Sequence, residues 1–288
     1  MKLRMQTHLW TGAALALLLP AAALANETHV YGIANFGGPG QCNAESHSVH
    51  TATAAEFANY FNSLMSTGLW SDVRTINNSS ARADFWTDAS KVPADAKDTQ
   101  ANFGVDDADV LFVHTHGGHN EANLRSWLVM GTNADACSAV TDTHMSLGNG
   151  KLNIAVVKAC QSGDYQVWKQ GGYRRALVTP TSGFTMWNAF HGNSSCGNFV
   201  KTYVKGYAAN SRRDGAGENW IDAAYDVDEG ANNDDCPVSI VFGETKAQRI
   251  AMYENGGWRD RKSTGRKVAS HIFYVGGCEP SGGQKLPE

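Results

Sequence analysis

Beyond its first 25 residues the chain has no apolar run long enough to cross a bilayer as a helix, so no membrane span is expected. It also has no surplus of basic residues: 24 Lys and Arg stand against 28 Asp and Glu, and without a concentrated positive surface no nucleic-acid partner is expected. Proline is scarce, with 7 in 288 residues, and no Pro- or Ser-rich stretch interrupts the middle. The lack of a linker favours one domain over two. Internal repeats and low-complexity segments are missing as well, which sets aside solenoids and disordered arrays.

What is present begins with a leader. Lys2 and Arg4 precede an apolar run at residues 13–19, and Ala23-Leu24-Ala25 gives the small-x-small pattern of signal-peptide cleavage. The expectation is a signal peptide over residues 1–25, a mature chain from Asn26, and a secreted or periplasmic product. Six cysteines, Cys42, Cys137, Cys160, Cys196, Cys236 and Cys278, then meet an oxidising environment. An even count favours three disulfides. If Cys160 is free, a second cysteine must also be unpaired, and the sequence leaves the pairing open.

The rest alternates between strand and helix patterns. Strands are expected at residues 29–36, 73–76, 109–113, 152–157, 176–180, 238–242 and 271–275, and helices at 51–65, 161–170, 196–207 and 245–253. Consecutive apolar residues, as in Val110 to Val113, mark strands covered on both faces. Residues 131–150 read mostly as loop, and residues 279–288, with Pro, Gly and Ser, as a flexible tail. Alternation of this kind predicts an α/β fold, a mostly parallel sheet with helices on both faces, in a single domain over residues 26–278.

Two strand ends carry chemistry. The stretch 151–164 (KLNIAVVKACQSGD) delivers Cys160 where a buried strand emerges into a Ser-Gly turn, and the 109–113 strand delivers His116-Gly117. Reactive groups in open α/β sheets collect beyond the carboxyl ends of the strands. A thiol becomes a nucleophile at neutral pH when an imidazole stabilises its thiolate, and it needs a positioned acid to protonate the leaving group. His116 meets both needs if its strand neighbours that of Cys160. The backbone N–H groups of Gly117 and Cys160 are the expected oxyanion hole.

An apolar strand ending in His-Gly and a second ending in Ala-Cys resemble the caspase, metacaspase, legumain and gingipain group of cysteine peptidases. Ala159-Cys160-Gln161-Ser162-Gly163 is similar to the active-site turn of that group. Gly183-Phe184-Thr185-Met186-Trp187-Asn188 is similar to a caspase segment whose aromatics line the substrate cleft. The resemblance spans roughly residues 30–207. It implies a caspase-like three-layer sandwich, endopeptidase activity on a protein or peptide substrate, catalysis by Cys160 and His116 without a cofactor, and substrate contacts from Phe184, Trp187 and Asn188. Two departures stand out: Lys158 replaces an acidic residue two before the cysteine, and Asn188 replaces an arginine after the tryptophan. If Lys158 points into the substrate pocket it favours an acidic or amide side chain; otherwise it is a solvated lysine at a strand end.

Three other readings attach to the same sequence. His114, His116 and His119 have the spacing of the metal motif in metallo-β-lactamase-like hydrolases, with His191 as a further ligand and Gly118 where that motif has aspartate. A catalytically silent caspase-like domain that binds cell-surface or matrix components is another, with Cys160 bonded or inaccessible. The alternating oxygens of Asp226, Asp228, Asn232 and Asp234 around Gly230 suit Ca2+, although the glutamate that closes an EF-hand loop is replaced by Pro237. Members of the resembled group use calcium for activation, which would make Ca2+ a regulatory ion.

Overall fold

The structure, a computed structural model, describes residues 26–37, 40, 42–134, 136–212, 215–225, 234–260 and 265–288. Residues 1–25 and the loop positions Asp226, Asp228, Gly230 and Asn232 lie outside these, with the signal-peptide expectation and most of the calcium loop.

The chain forms strand β1 (Asn26–Gly32), helix α1 (Val49–Met65), β2 (Trp70–Asn77) and β3 (Val110–His114). Three short strands follow, β4 (Gly117–Asn120), β5 (Arg125–Val129) and β6 (Ser138–Val140), then β7 (Ile154–Lys158). Helices α2 (Tyr165–Lys169) and α3 (Gly172–Leu177) lead to β8 (Met186–His191), α4 (Phe199–Asn210) and α5 (Ala216–Ala224). Strand β9 (Cys236–Gly243), helix α6 (Lys246–Asn255) and strand β10 (Ala269–Tyr274) complete it. The main sheet has seven strands in the order β10-β9-β8-β7-β3-β1-β2. Strands β2, β1, β3, β7 and β8 are mutually parallel, and β9 runs antiparallel to both β8 and β10. Strands β4, β5 and β6 form a small antiparallel sheet of their own.

Strand alternation sends successive side chains to opposite faces and builds two cores. Tyr31, Leu111, Val113, Ala155, Val157 and Trp187 face α2, α3 and the small sheet. Val30, Val110, Phe112, Ile154, Val156 and Met186 face α1, α4 and α5. The result is the expected α/β architecture, a mostly parallel sheet between two covering layers. β1 is flanked by β2 on one side and β3 on the other, so the direction of sheet growth reverses there and the loops after β1 and β3 diverge. A crevice at the carboxyl edge follows from that reversal.

Two expectations need correction. Residues 176–180 are not a strand: Tyr173, Ala176 and Leu177 are buried and Arg175 is exposed, a helical spacing that makes Ala176 and Leu177 the end of α3, and residues 178–180 follow it outside any regular element. The strand in this part of the chain is β8, which carries Trp187 and Asn188 of the aromatic segment. Nor are residues 279–288 loose. Leu286 is 2% exposed, its N–H donates to Cys278 O at 2.8 Å, and Asn193 N–H donates to Ser281 O at 2.7 Å, so the segment is fastened back over the carboxyl edge.

One buried carboxyl makes stability depend on pH. Asp98 is 3% exposed, and burial, followed by the charges of Asp106 and Asp88, pushes its carboxyl up to about 7. A carboxyl raised above its unfolded value of about 4 holds its proton better in the folded state. It therefore contributes stability at low pH that is lost as pH rises through about 7. Between about pH 5 and 7 the unfolding free energy should fall by up to about 1.4 kcal/mol per pH unit from this group, and Asp98→Asn should flatten the profile. Urea titrations across that range measure it; an unchanged slope in Asp98→Asn would rule Asp98 out as the source.

Candidate active site

His116 and Cys160 both emerge at the carboxyl edge, from adjacent strands in register. His114 pairs with Lys158 at the ends of β3 and β7, and Thr115 N–H donating to Lys158 O at 3.2 Å carries the contact one step further. Residues two positions on share the side of the sheet taken by their strand partners. The chains touch there: a Cβ on Gly117 would lie 2.4 Å from Cys160 O and 2.9 Å from Ala159 Cβ, so only glycine permits this approach.

Each side chain is held by other partners. His116 Nε2 lies 2.6 Å from Glu45 O, and because a carbonyl only accepts, Nε2 carries the proton. The ring packs against Phe36, His47 and His50, with centroids 5.0, 5.3 and 5.2 Å away. Cys160 is half-buried, and its sulfur accepts from Ser194 N–H at 3.5 Å. The turn that follows is sharp: Gln161 has φ +57°, its N–H donates to Gly192 O at 2.6 Å, and Gly163 N–H donates to Phe190 O at 2.8 Å. A non-glycine residue in the left-handed region stores roughly 1 kcal/mol or more, here directly beside the candidate nucleophile.

The cysteine question is answered among the described residues. Cys42 pairs with Cys137 and Cys236 with Cys278, while Cys160 and Cys196 are free. The first bridge ties the loop after β1 to the small sheet, and the second ties β9 to the terminal segment. Cys196 lies on the loop after β8, which also supplies Ser194. A cleft of about 380 Å³ opens beside it, lined by Ser194, Ser195, Asp234, Asp235 and Ser281.

Lys158 is neither a pocket lysine nor a solvated one. It is 0% exposed, its ammonium donates to Ser195 O at 2.6 Å, lies 4.0 Å from the Asp235 carboxylate and sits 4.4 Å from the Phe190 ring centroid. Its position on β7 follows Ile154 and Val156 into the α1-side core, which leaves it no route to water. Phe184, Trp187 and Asn188 are likewise 0% exposed, which corrects their expected contact with substrate. Trp187 Nε1 donates to Ser162 O at 2.9 Å, and Asn188 Nδ2 donates to Tyr207 Oη at 2.9 Å. These residues support the turn after Cys160 and the α4–α5 layer from inside.

The four histidines of the metal-hydrolase reading fall in two groups, His119 and His191 at Asp164 and His114 and His116 around His50. His119 in β4 faces Asp164 and Glu121 at 3.8 and 3.6 Å. His191 lies 3.1 Å from Asp164 and 2.7 Å from Gln284 O. His114 turns into the α1-side core, 4.2 Å between centroids from His50. Burial draws His50 down to about 3 and holds His114 well below the ordinary histidine value, so both rings are neutral. Asp164, whose carboxylate receives the N–H groups of Gln166 and Val167 at the start of α2, is held below its usual range because those bonds and His191 outweigh the effect of burial. Of the calcium candidates, Asp234 alone is described; it lines the cleft and its carboxylate accepts from Glu279 N–H at 3.3 Å.

Sequence reading missed His50, Cys196, Asp235 and Asp164. Asp164 had a signal, an acid just before a helix. The others come to the site through long-range pairing and had none. Among the described residues no helix is long and apolar enough to cross a membrane. No protein-family model matches the chain, and no curated protein matches it.

Proposed function

We propose that the protein is a secreted cysteine endopeptidase in which Cys160 is the nucleophile and His116 the general acid and base. The observation that carries this reading is the register of β3 and β7, which sets His116 and the free Cys160 at the carboxyl edge of adjacent strands with Gly117 pressed against Cys160.

With Nε2–H committed to Glu45 O, Nδ1 is the nitrogen that exchanges protons. Cys160 Sγ–H gives its proton to His116 Nδ1, and the thiolate attacks the carbonyl carbon and forms the C–S bond, while the oxygen gains charge toward the N–H groups of Gly117 and Cys160. The C–N bond then breaks as imidazolium Nδ1–H protonates the departing amine. A water molecule gives its proton to Nδ1, attacks the thioester and releases the acid and the thiol. None of these steps requires a cofactor.

Substrate choice follows from the cleft. Lys158 is screened by Asp235, so its charge no longer argues for an acidic residue at the cleavage position. The walls bring the Asp234 carboxylate and the hydroxyl groups of Ser194 and Ser281, and this composition suits a cationic or amide side chain. Incubating a peptide library with the mature protein and with Cys160→Ala tests both statements. The wild type should cleave after Arg, Lys, Asn or Gln in preference to Asp or Glu, and the variant should cleave nothing while retaining its circular dichroism. Equal cleavage by the variant would refute the nucleophile.

A further inference from the structure

Beneath the Cys160–His116 pair lies a second cluster that the chemistry above does not use. His50 begins α1, and its Nδ1 donates to Ile33 O at 2.7 Å, which leaves Nε2 as a bare lone pair. That lone pair faces Cys196 Sγ at 3.6 Å. His114, at the end of β3, is 1% exposed, and its Nδ1 has no hydrogen-bond partner. One ring nitrogen from each histidine and the Cys196 sulfur all lie within 4.8 Å of one another.

We propose that His50, His114 and Cys196 form a binding site for a thiophilic transition-metal ion of the Zn2+ class. Zinc holds imidazole nitrogen at about 2.0–2.1 Å and thiolate sulfur at about 2.3 Å in tetrahedral array, which sets the nitrogen–sulfur separation at about 3.6 Å. His50 and Cys196 already stand at that separation, and His114 needs only a side-chain adjustment. Two imidazoles and one thiolate are the borderline-soft donors such an ion selects over calcium or magnesium. The Ile33 carbonyl on His50 Nδ1–H is the outer partner that fixes the tautomer of a ligating histidine. Cys196 gives up its proton to solvent as the metal–sulfur bond forms. Cys196 borders the open cleft, which gives the ion an entry route and leaves a fourth position outside the protein ligands.

The site is independent of the peptidase reading, because neither Cys160 nor His116 is a ligand. The test is a Co2+ titration, under inert atmosphere, of the chelator-treated full mature chain with its two disulfides intact and Cys160 and Cys196 as free thiols, followed by displacement with Zn2+. Wild type should bind one Co2+ with a thiolate-to-cobalt charge-transfer band in the near ultraviolet. Cys160→Ser should keep the band and the affinity. Cys196→Ser should lose the band, and its affinity should fall by more than the roughly 10–100-fold that loss of an outer partner costs. His114→Gln should weaken binding comparably, with circular dichroism confirming its fold; if it does not fold, the two cysteine variants decide. A wild type without the band, a band that survives in Cys196→Ser, or one that disappears in Cys160→Ser would overturn the site.

Discussion

Replacing His116 by alanine should lower kcat/KM for a cleaved peptide by roughly 10²–10⁴-fold, the range expected when a positioned acid-base group is removed. The loss should fall on kcat, with KM little changed, because the proposed role has His116 handling protons at the reacting atoms while the cleft proposed to hold the side chain lies on the loop after β8. The fold should survive. His116 is half-buried, and its ring rests on Phe36, His47 and His50, all of which remain. Thermal unfolding of the variant near the wild-type midpoint, together with the kinetic loss, is the expected pair of results. A variant retaining activity within about tenfold would contradict a general acid-base role for this histidine.

The second large effect concerns the charge pair behind the cleft. Asp235→Ala should destabilise the protein by about 3–5 kcal/mol, the cost of leaving a buried charge without its partner. Lys158 and Asp235 are 0% and 2% exposed, and Asp235 also accepts from Ser195 N–H at 2.7 Å and Ser195 Oγ–H at 2.9 Å. Removing the carboxylate therefore strips the ammonium of its counter-charge and the Ser195 loop of its anchor in one step. Replacing both charges, as in Lys158→Met with Asp235→Leu, should recover much of the stability, because an apolar pair of similar volume carries no desolvation cost. Urea unfolding with the disulfides intact measures both. A loss below about 1 kcal/mol in Asp235→Ala would place that interaction among weak surface-like pairs.

The parts of this molecule that were readable in the sequence are those set by local pattern. The run 152–157 becomes β7, the run 109–113 becomes β3, and the spacing of Phe57, Ala58, Phe61 and Leu64 becomes the buried side of α1. His116 and Cys160 were legible for the same reason, since each sits at the end of one recognisable strand. The walls around them were not. Asp235 reaches Lys158 because β9 enters the sheet antiparallel beside β8, a pairing that no local pattern encodes. The Gly-rich segment after His116 looks like loop, yet Gly117 and Gly118 pair with Leu128 and Trp127, and a Cβ on Gly118 would lie 2.4 Å from the Trp127 ring. Polar composition at residues 279–288 suggests looseness, but the Cys236–Cys278 bridge and buried Leu286 hold the segment down. Phe184 and Trp187 resembled cleft aromatics, and burial on both faces of the sheet made them core.

Mass-spectrometric mapping of the residue alkylated by a peptidyl ketone with a leaving group beside the carbonyl tests the peptidase assignment most directly. Such a reagent occupies the substrate site and reports which thiolate attacks there. Cys160 and Cys196, both free and both against Ser194, are the two sulfurs it can choose between. The assignment predicts a single modification at Cys160, slowed strongly in His116→Ala and unaffected by Cys196→Ser. Modification at Cys196 instead, or none at Cys160 under conditions where the native thiols remain reduced, would contradict it.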